Sequence, residues 1–105
     1  MEEYIICILH NDRIVQLHSD KHFYTGGVCM RGCHPVVRKT RRGAEQVARK
    51  YIYNSWGPAF ACTHSELDQL QESIHLVCNT AERMERFSAK AKELGVATYH
   101  AARPY

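Results

Sequence analysis

Tyr4-Ile5-Ile6-Cys7-Ile8-Leu9 is apolar at every position and rich in β-branched isoleucine. A half-buried strand alternates apolar with polar residues. A run without alternation is the pattern of a strand covered on both faces, which places it at the centre of a sheet. Asn11-Asp12 follows as a tight turn and Arg13-Ile14-Val15-Gln16-Leu17-His18 as a second strand, so the chain begins with a hairpin. Beyond it regular patterning stops. Gly26-Gly27, Gly32 and Pro35 punctuate residues 19–35, a stretch that is long for a connection without structure of its own.

Thr40 suits a helix cap, and Ala44, Val47, Ala48, Tyr51 and Ile52 recur at helical spacing. A first helix is expected from about Arg41 to Tyr53, stopped by Asn54-Ser55-Trp56-Gly57-Pro58. The second half admits two readings. Leu67, Leu70, Ile74, Val77, Ala81 and Met84 fit a helical stripe, and neither glycine nor proline interrupts Ala59 to Leu94. One helix over 63–94 is therefore permitted, ~45 Å long, which would demand a partner helix. In the other reading Thr63-x-x-Glu66 opens a short helix to about Glu72 and Ile74-His75-Leu76-Val77-Cys78 forms a strand. Asn79-x-x-Glu82 then opens a third helix that runs to Leu94, and Gly95 supplies the left-handed closing residue. Val96 to His100 reads as a closing strand. Two independent capping boxes favour the broken version. The expected fold is α+β (or α/β), with one small sheet of roughly three or four strands. These are the hairpin plus strands near 74–78 and 96–100, packed by about three helices in a single domain over 1–105, with 19–35 as a long irregular loop.

At 105 residues and 45% apolar content the chain can close one modest core. No run approaches the ~20 apolar residues that span a bilayer. The start, Met1-Glu2-Glu3, is acidic where a secretory leader is basic. These features lead to the expectation of a cytoplasmic protein, monomer or homodimer, with no membrane partner. Five cysteines, an odd number, argue against a disulfide scaffold and for reduced thiols or a metal site.

Positive charge is concentrated. Arg31, Arg38, Lys39, Arg41, Arg42, Arg49 and Lys50 are opposed within their segment by Glu45 alone, a net +6 in a chain whose total is +3. Like charges this dense repel one another and gain little from folding, so a ligand that neutralises them is expected: a nucleic-acid backbone or an acidic protein surface. Arginines in the first turn of the helix also oppose its dipole, an arrangement that local stability would not select.

A second-half order of short helix, strand, helix and strand, with the third helix ending Ala91-Lys92-Glu93-Leu94-Gly95, resembles the pattern of type-2 peptidyl-tRNA hydrolases. Lys39-Thr40-Arg41-Arg42-Gly43 with Gln46 is similar to that family's entry to its first helix. The resemblance covers about residues 39–101 and implies a sheet topology, a basic face and, as an alternative function, a divergent peptidyl-tRNA hydrolase. The family's Asp-Ala-Gly-Arg-Thr signature meets Ala101-Ala102-Arg103-Pro104 here, without the aspartate. Arg49 and Lys50 stand where its histidine is expected.

Thiols and imidazoles form the other grouping. Cys29-x3-Cys33-His34 lies in the irregular loop and Cys62-x-His64 before the second helix. Cys29, Cys33, Cys62 and His64 supply the four sulfur or nitrogen ligands of a structural zinc, although the usual Cys-x2-Cys spacing is lacking. Cys33, beside His34 and near Arg31, has the neighbours that lower a thiol pKa. Ser19-Asp20-x-His22 holds the residue types of a hydrolytic triad too close in sequence to adopt its geometry. No catalytic residue is assigned. Phe23, Tyr24, Tyr51, Tyr53 and Trp56 are candidates to stack on bases beside the cations, although Tyr51 falls on the apolar stripe and Tyr53 and Trp56, at the helix exit, more often cover the end of a core.

The expected function is a small non-enzymatic binding protein whose basic helix and loop, residues 31–50, engage a nucleic-acid backbone or an acidic protein complex. That type suits a phage or mobile-element accessory protein that inhibits a host or defence complex in the host cytoplasm. No cofactor is expected, the alternative being a zinc-stabilised structural module.

Overall fold

Central placement of the first strand follows directly from its sequence. The computed structural model describes residues 2–25, 32–53 and 56–100, and within these six strands form one antiparallel sheet. β1 (Tyr4–His10) pairs with β2 (Arg13–Leu17) on one side and β5 (Ala59–Cys62) on the other. β3 (Phe23–Tyr24) adds beyond β2 and β6 (Thr98–Tyr99) beyond β5, giving the order β3-β2-β1-β5-β6. β4 (Val37–Arg38) lies off this path and pairs with the start of β1, Tyr4 opposite Arg38 and Ile5 opposite Val37. Asn11 takes the left-handed conformation, φ 56°, in the turn that joins β1 to β2.

Alternation along β1 and β5 divides the core in two. Ile6 and Ile8 with Ala59 and Ala61 face one helix; Ile5, Cys7 and Leu9 with Phe60 and Cys62 face the opposite layer. α1 (Arg41–Ala48) covers the first face, and its buried residues are Ala44 and Ala48. Alanine against alanine lets this helix approach the sheet closely. The Thr40 hydroxyl caps it, accepting from the Gly43 N–H at 3.1 Å. A 3-10 turn, Arg49–Tyr51, prolongs it. The chain then returns to β5 through Gly57, where a Cβ would stand 2.1 Å from the carbonyl oxygen of Leu9. Only glycine fits there, because the Leu9 N–H donates to Pro58 O at 3.1 Å and fixes the approach.

α2 (His64–Ser73) and α3 (Thr80–Leu94) cover the other face, with the Phe60 and Phe87 rings 5.2 Å apart at its centre. The Thr63/Glu66 capping box is complete. Asn79 caps α3 by accepting from the Glu82 N–H at 2.9 Å, and Gly95 ends it at φ 74°.

Several boundaries differ from the sequence reading. Residues 74–78 are not a strand: Ile74 caps α2 and completes its buried stripe after Leu67 and Leu70, while Leu76 turns left-handed at φ 59° and is 85% exposed. The closing strand expected at 96–100 is present in shorter form as β6, and β3, β4 and β5 join it and the hairpin, so the sheet is larger than the three or four strands expected. α1 with its 3-10 turn stops at Tyr51, short of Tyr53. The segment 19–35 is partly structured, through β3 and a bridge between His18 and Pro35. Helix–turn–helix replaces the single long helix over 63–94.

Candidate functional site

Of the cations of residues 38–50, Arg41 alone pairs with a carboxylate among the described residues. Arg41 is half-buried, and its Nη2 donates to both carboxylate oxygens of Glu66, at 3.0 and 2.9 Å. Glu66 also accepts from the Thr63 N–H at 2.9 Å, so one carboxylate serves the α2 capping box and the arginine at the head of α1. The Arg41 guanidinium lies 5.0 Å from the centre of the Tyr4 ring. Burial by itself would make the Arg41 charge less stable; the hydrogen bond and charge of Glu66 more than offset this and raise its pKa. The cost of an arginine against the helix dipole is met locally by a partner far away in sequence.

Arg38, Lys39, Arg42, Arg49 and Lys50 are exposed, and among the described residues none forms an ion pair with a carboxylate. Arg38 donates to the neighbouring Val37 carbonyl at 2.9 Å, and Arg49 lies 5.3 Å from the centre of the Tyr99 ring. Arg42 follows Arg41 in the first turn of α1 and, at 100° per residue, stands opposite Ala44 and Ala48. Arg31 lies outside the described residues.

Between β4 and the end of α1 opens a cleft of about 450 Å³. Arg38 and Lys50 line it, and so does Lys21, a cation that the sequence reading did not single out. Lys21 sits at φ 66° in the turn between β2 and β3, held by its N–H donating to His18 O at 2.9 Å. Leu17, Val36 and Val47 form apolar wall, with Ser19 and Tyr51 adding hydroxyls. Burial pushes the Tyr51 phenol pKa up. Three cations around a partly apolar concavity suit a phosphate ester.

Among the described residues, the candidate zinc ligands Cys33, Cys62 and His64 are not arranged to hold a metal ion. Cys62 points into the α2–α3 side of the core with Cys7, and both are fully buried. Burial, and then the neighbouring Cys62, push the Cys7 thiol pKa well up. His64 is exposed at the head of α2. Cys33 is disulfide-bonded and so is not a free thiolate, while Cys7, Cys62 and Cys78 are free thiols. Cys29 lies outside the described residues. Among the described residues no group of three or more histidine, cysteine or acidic side chains is arranged to hold a metal ion.

Ser19, Asp20 and His22 serve the turn that carries Lys21. The Ser19 hydroxyl accepts from the His34 N–H at 3.2 Å, and Asp20 accepts from the His22 N–H at 3.1 Å and from the Tyr24 hydroxyl. The Tyr24 hydrogen bond holds the Asp20 carboxyl below its ordinary pKa. His18 is fully buried behind this turn, its Nδ1 3.4 Å from Cys33 Sγ. No helix among the described residues is long and apolar enough to cross a membrane. Comparison with protein-family models, with curated proteins and with solved structures gave no match.

Proposed function

We propose that this chain is a binding protein for the phosphate backbone of a nucleic acid, which it engages through Lys21, Arg38, Lys39, Arg42, Arg49 and Lys50. The observation that carries this reading is the set of exposed cations running from β4 through α1 to the 3-10 turn that pair with no carboxylate among the described residues, two of them sharing a cleft with Lys21. Arg41, the one cation of residues 38–50 that pairs with a carboxylate among the described residues, is set apart from them. Mutual repulsion among the rest is relieved when phosphates displace their counterions, and the release of those ions drives association.

Fluorescence anisotropy of a labelled oligonucleotide, titrated with protein at several salt concentrations, tests the reading. Log affinity should fall linearly with log salt, and alanine at Arg38, Arg42 and Lys50 together should flatten the slope by about two to three units. Absence of any oligonucleotide affinity at low salt, with capture of an acidic protein that survives nuclease, would assign the face to a protein partner instead.

A further inference from the structure

A second cleft, of about 370 Å³, lies at the hairpin end of the sheet on the same side as α1. Its walls are rings: His10 and Trp56 stack with centres 4.0 Å apart and planes 13° from parallel, and Phe23 stands beside them. Trp56 is 47% exposed and Tyr53, just upstream of it in sequence, 86%. Trp56 therefore presents part of its ring to solvent at the cleft, where a planar ligand can reach it. The polar groups at the mouth differ from those of the cationic cleft. Arg13 is paired with Asp12 at 3.5 Å, so the mouth carries both signs of charge, and Asn11 adds a donor and an acceptor. A carboxylate beside the opening repels a phosphate. A neutral planar ring with hydrogen-bonding edges is the complementary occupant.

A chain of aromatic contacts links the linings of the two clefts. Tyr51, which lines the cationic cleft, meets Phe23 edge-on at 5.0 Å, and Phe23 lies 6.4 Å from Trp56. Those two steps are short enough for adjoining nucleotides of one strand to occupy both. We propose that the His10–Trp56–Phe23 cleft stacks an unpaired nucleobase of a single strand whose phosphates rest on Lys21, Arg38 and Lys50; this rests on the backbone-binding reading above. Base–aromatic stacking accepts any base, because every base has a π-face. A base paired in a duplex reaches such a cleft only by leaving its stack, which costs a few kcal/mol. The protein therefore distinguishes single strands from duplexes, something a backbone contact alone does weakly.

Trp56 is the sole tryptophan, so its intrinsic fluorescence reports this cleft directly. A mixed-sequence single-stranded oligonucleotide and a duplex of the same length are titrated into the full chain. Quenching of Trp56 by the single strand but not by the duplex is expected, with at least about fivefold weaker single-strand binding in Trp56→Ala and most of the affinity retained in Trp56→Phe. Equal, salt-dependent binding of both nucleic acids, with unchanged Trp56 emission, would overturn the base site while leaving the backbone reading intact. Failure of both nucleic acids to bind at low salt would remove the base site and the backbone reading together. The quenching measurement uses the unmodified protein, so it stands even if Trp56→Ala does not fold.

Discussion

Replacing Arg41 by alanine should separate the structural cation from the ligand-facing ones. The pair it forms with Glu66 is only partly shielded, with side-chain exposures of 31% and 15%. Hydrogen bonds to charged groups contribute about 1.5–3 kcal/mol when buried, and exposed pairs about 0.2–1 kcal/mol, so the partial burial places this one at about 1–2 kcal/mol after screening. Loss of the guanidinium from the Tyr4 ring adds to the same side. For a domain of this size that corresponds to a fall in Tm of about 4–12 °C, read by thermal unfolding followed by circular dichroism. A double-mutant cycle with Glu66→Gln should return a coupling of about 1 kcal/mol, because the two side chains share their hydrogen bonds. The salt slope of oligonucleotide binding, measured well below the variant's Tm, should be unchanged. An unaltered Tm together with a slope flattened by about one unit would refute the division, since Arg41 would then belong to the ligand.

Gly57→Ala should destabilise by about 2 kcal/mol or more, measured by denaturant unfolding, because the added Cβ meets the Leu9 carbonyl of the central strand rather than a yielding side chain. Thiol labelling of the native protein should modify Cys78, which is exposed, and spare buried Cys7 and Cys62 until denaturant is added. Tyr24→Phe should raise the Asp20 pKa toward the ordinary carboxylate range, read by NMR titration. The sign follows from the lowered folded-state value: the stabilisation is complete above the ordinary carboxylate pKa and is lost as pH falls through the lowered one, so the variant should lose less stability on acidification than the native chain.

What the sequence disclosed is what local pattern controls. β1 was legible because a strand covered on both faces has no polar alternation, and α3 because Asn79 and Gly95 punctuate it at both ends. β5 was not. Ala59-Phe60-Ala61-Cys62 contains no β-branched residue, and its strand state comes from pairing with β1 and from the demand for small side chains under α1 and large ones under α3. Ile74 to Cys78 erred the other way. Their composition suits a strand, but Ile74 is worth more to the fold as the last buried residue of the α2 stripe. The candidate site shows the same division. Arg38 and Lys50 could be named from the charge run alone. Lys21 comes from a turn distant in sequence, and the pairing of Arg41 with Glu66 joins two helix ends on different elements; neither leaves a local signal.

The salt dependence of binding between the unmodified protein and a short single-stranded oligonucleotide bears most directly on whether the β4–α1 cations face a phosphate backbone. Five or six engaged cations predict a slope of about −3 to −5 in log affinity against log salt. A slope near zero, or no binding at low ionic strength, would contradict it.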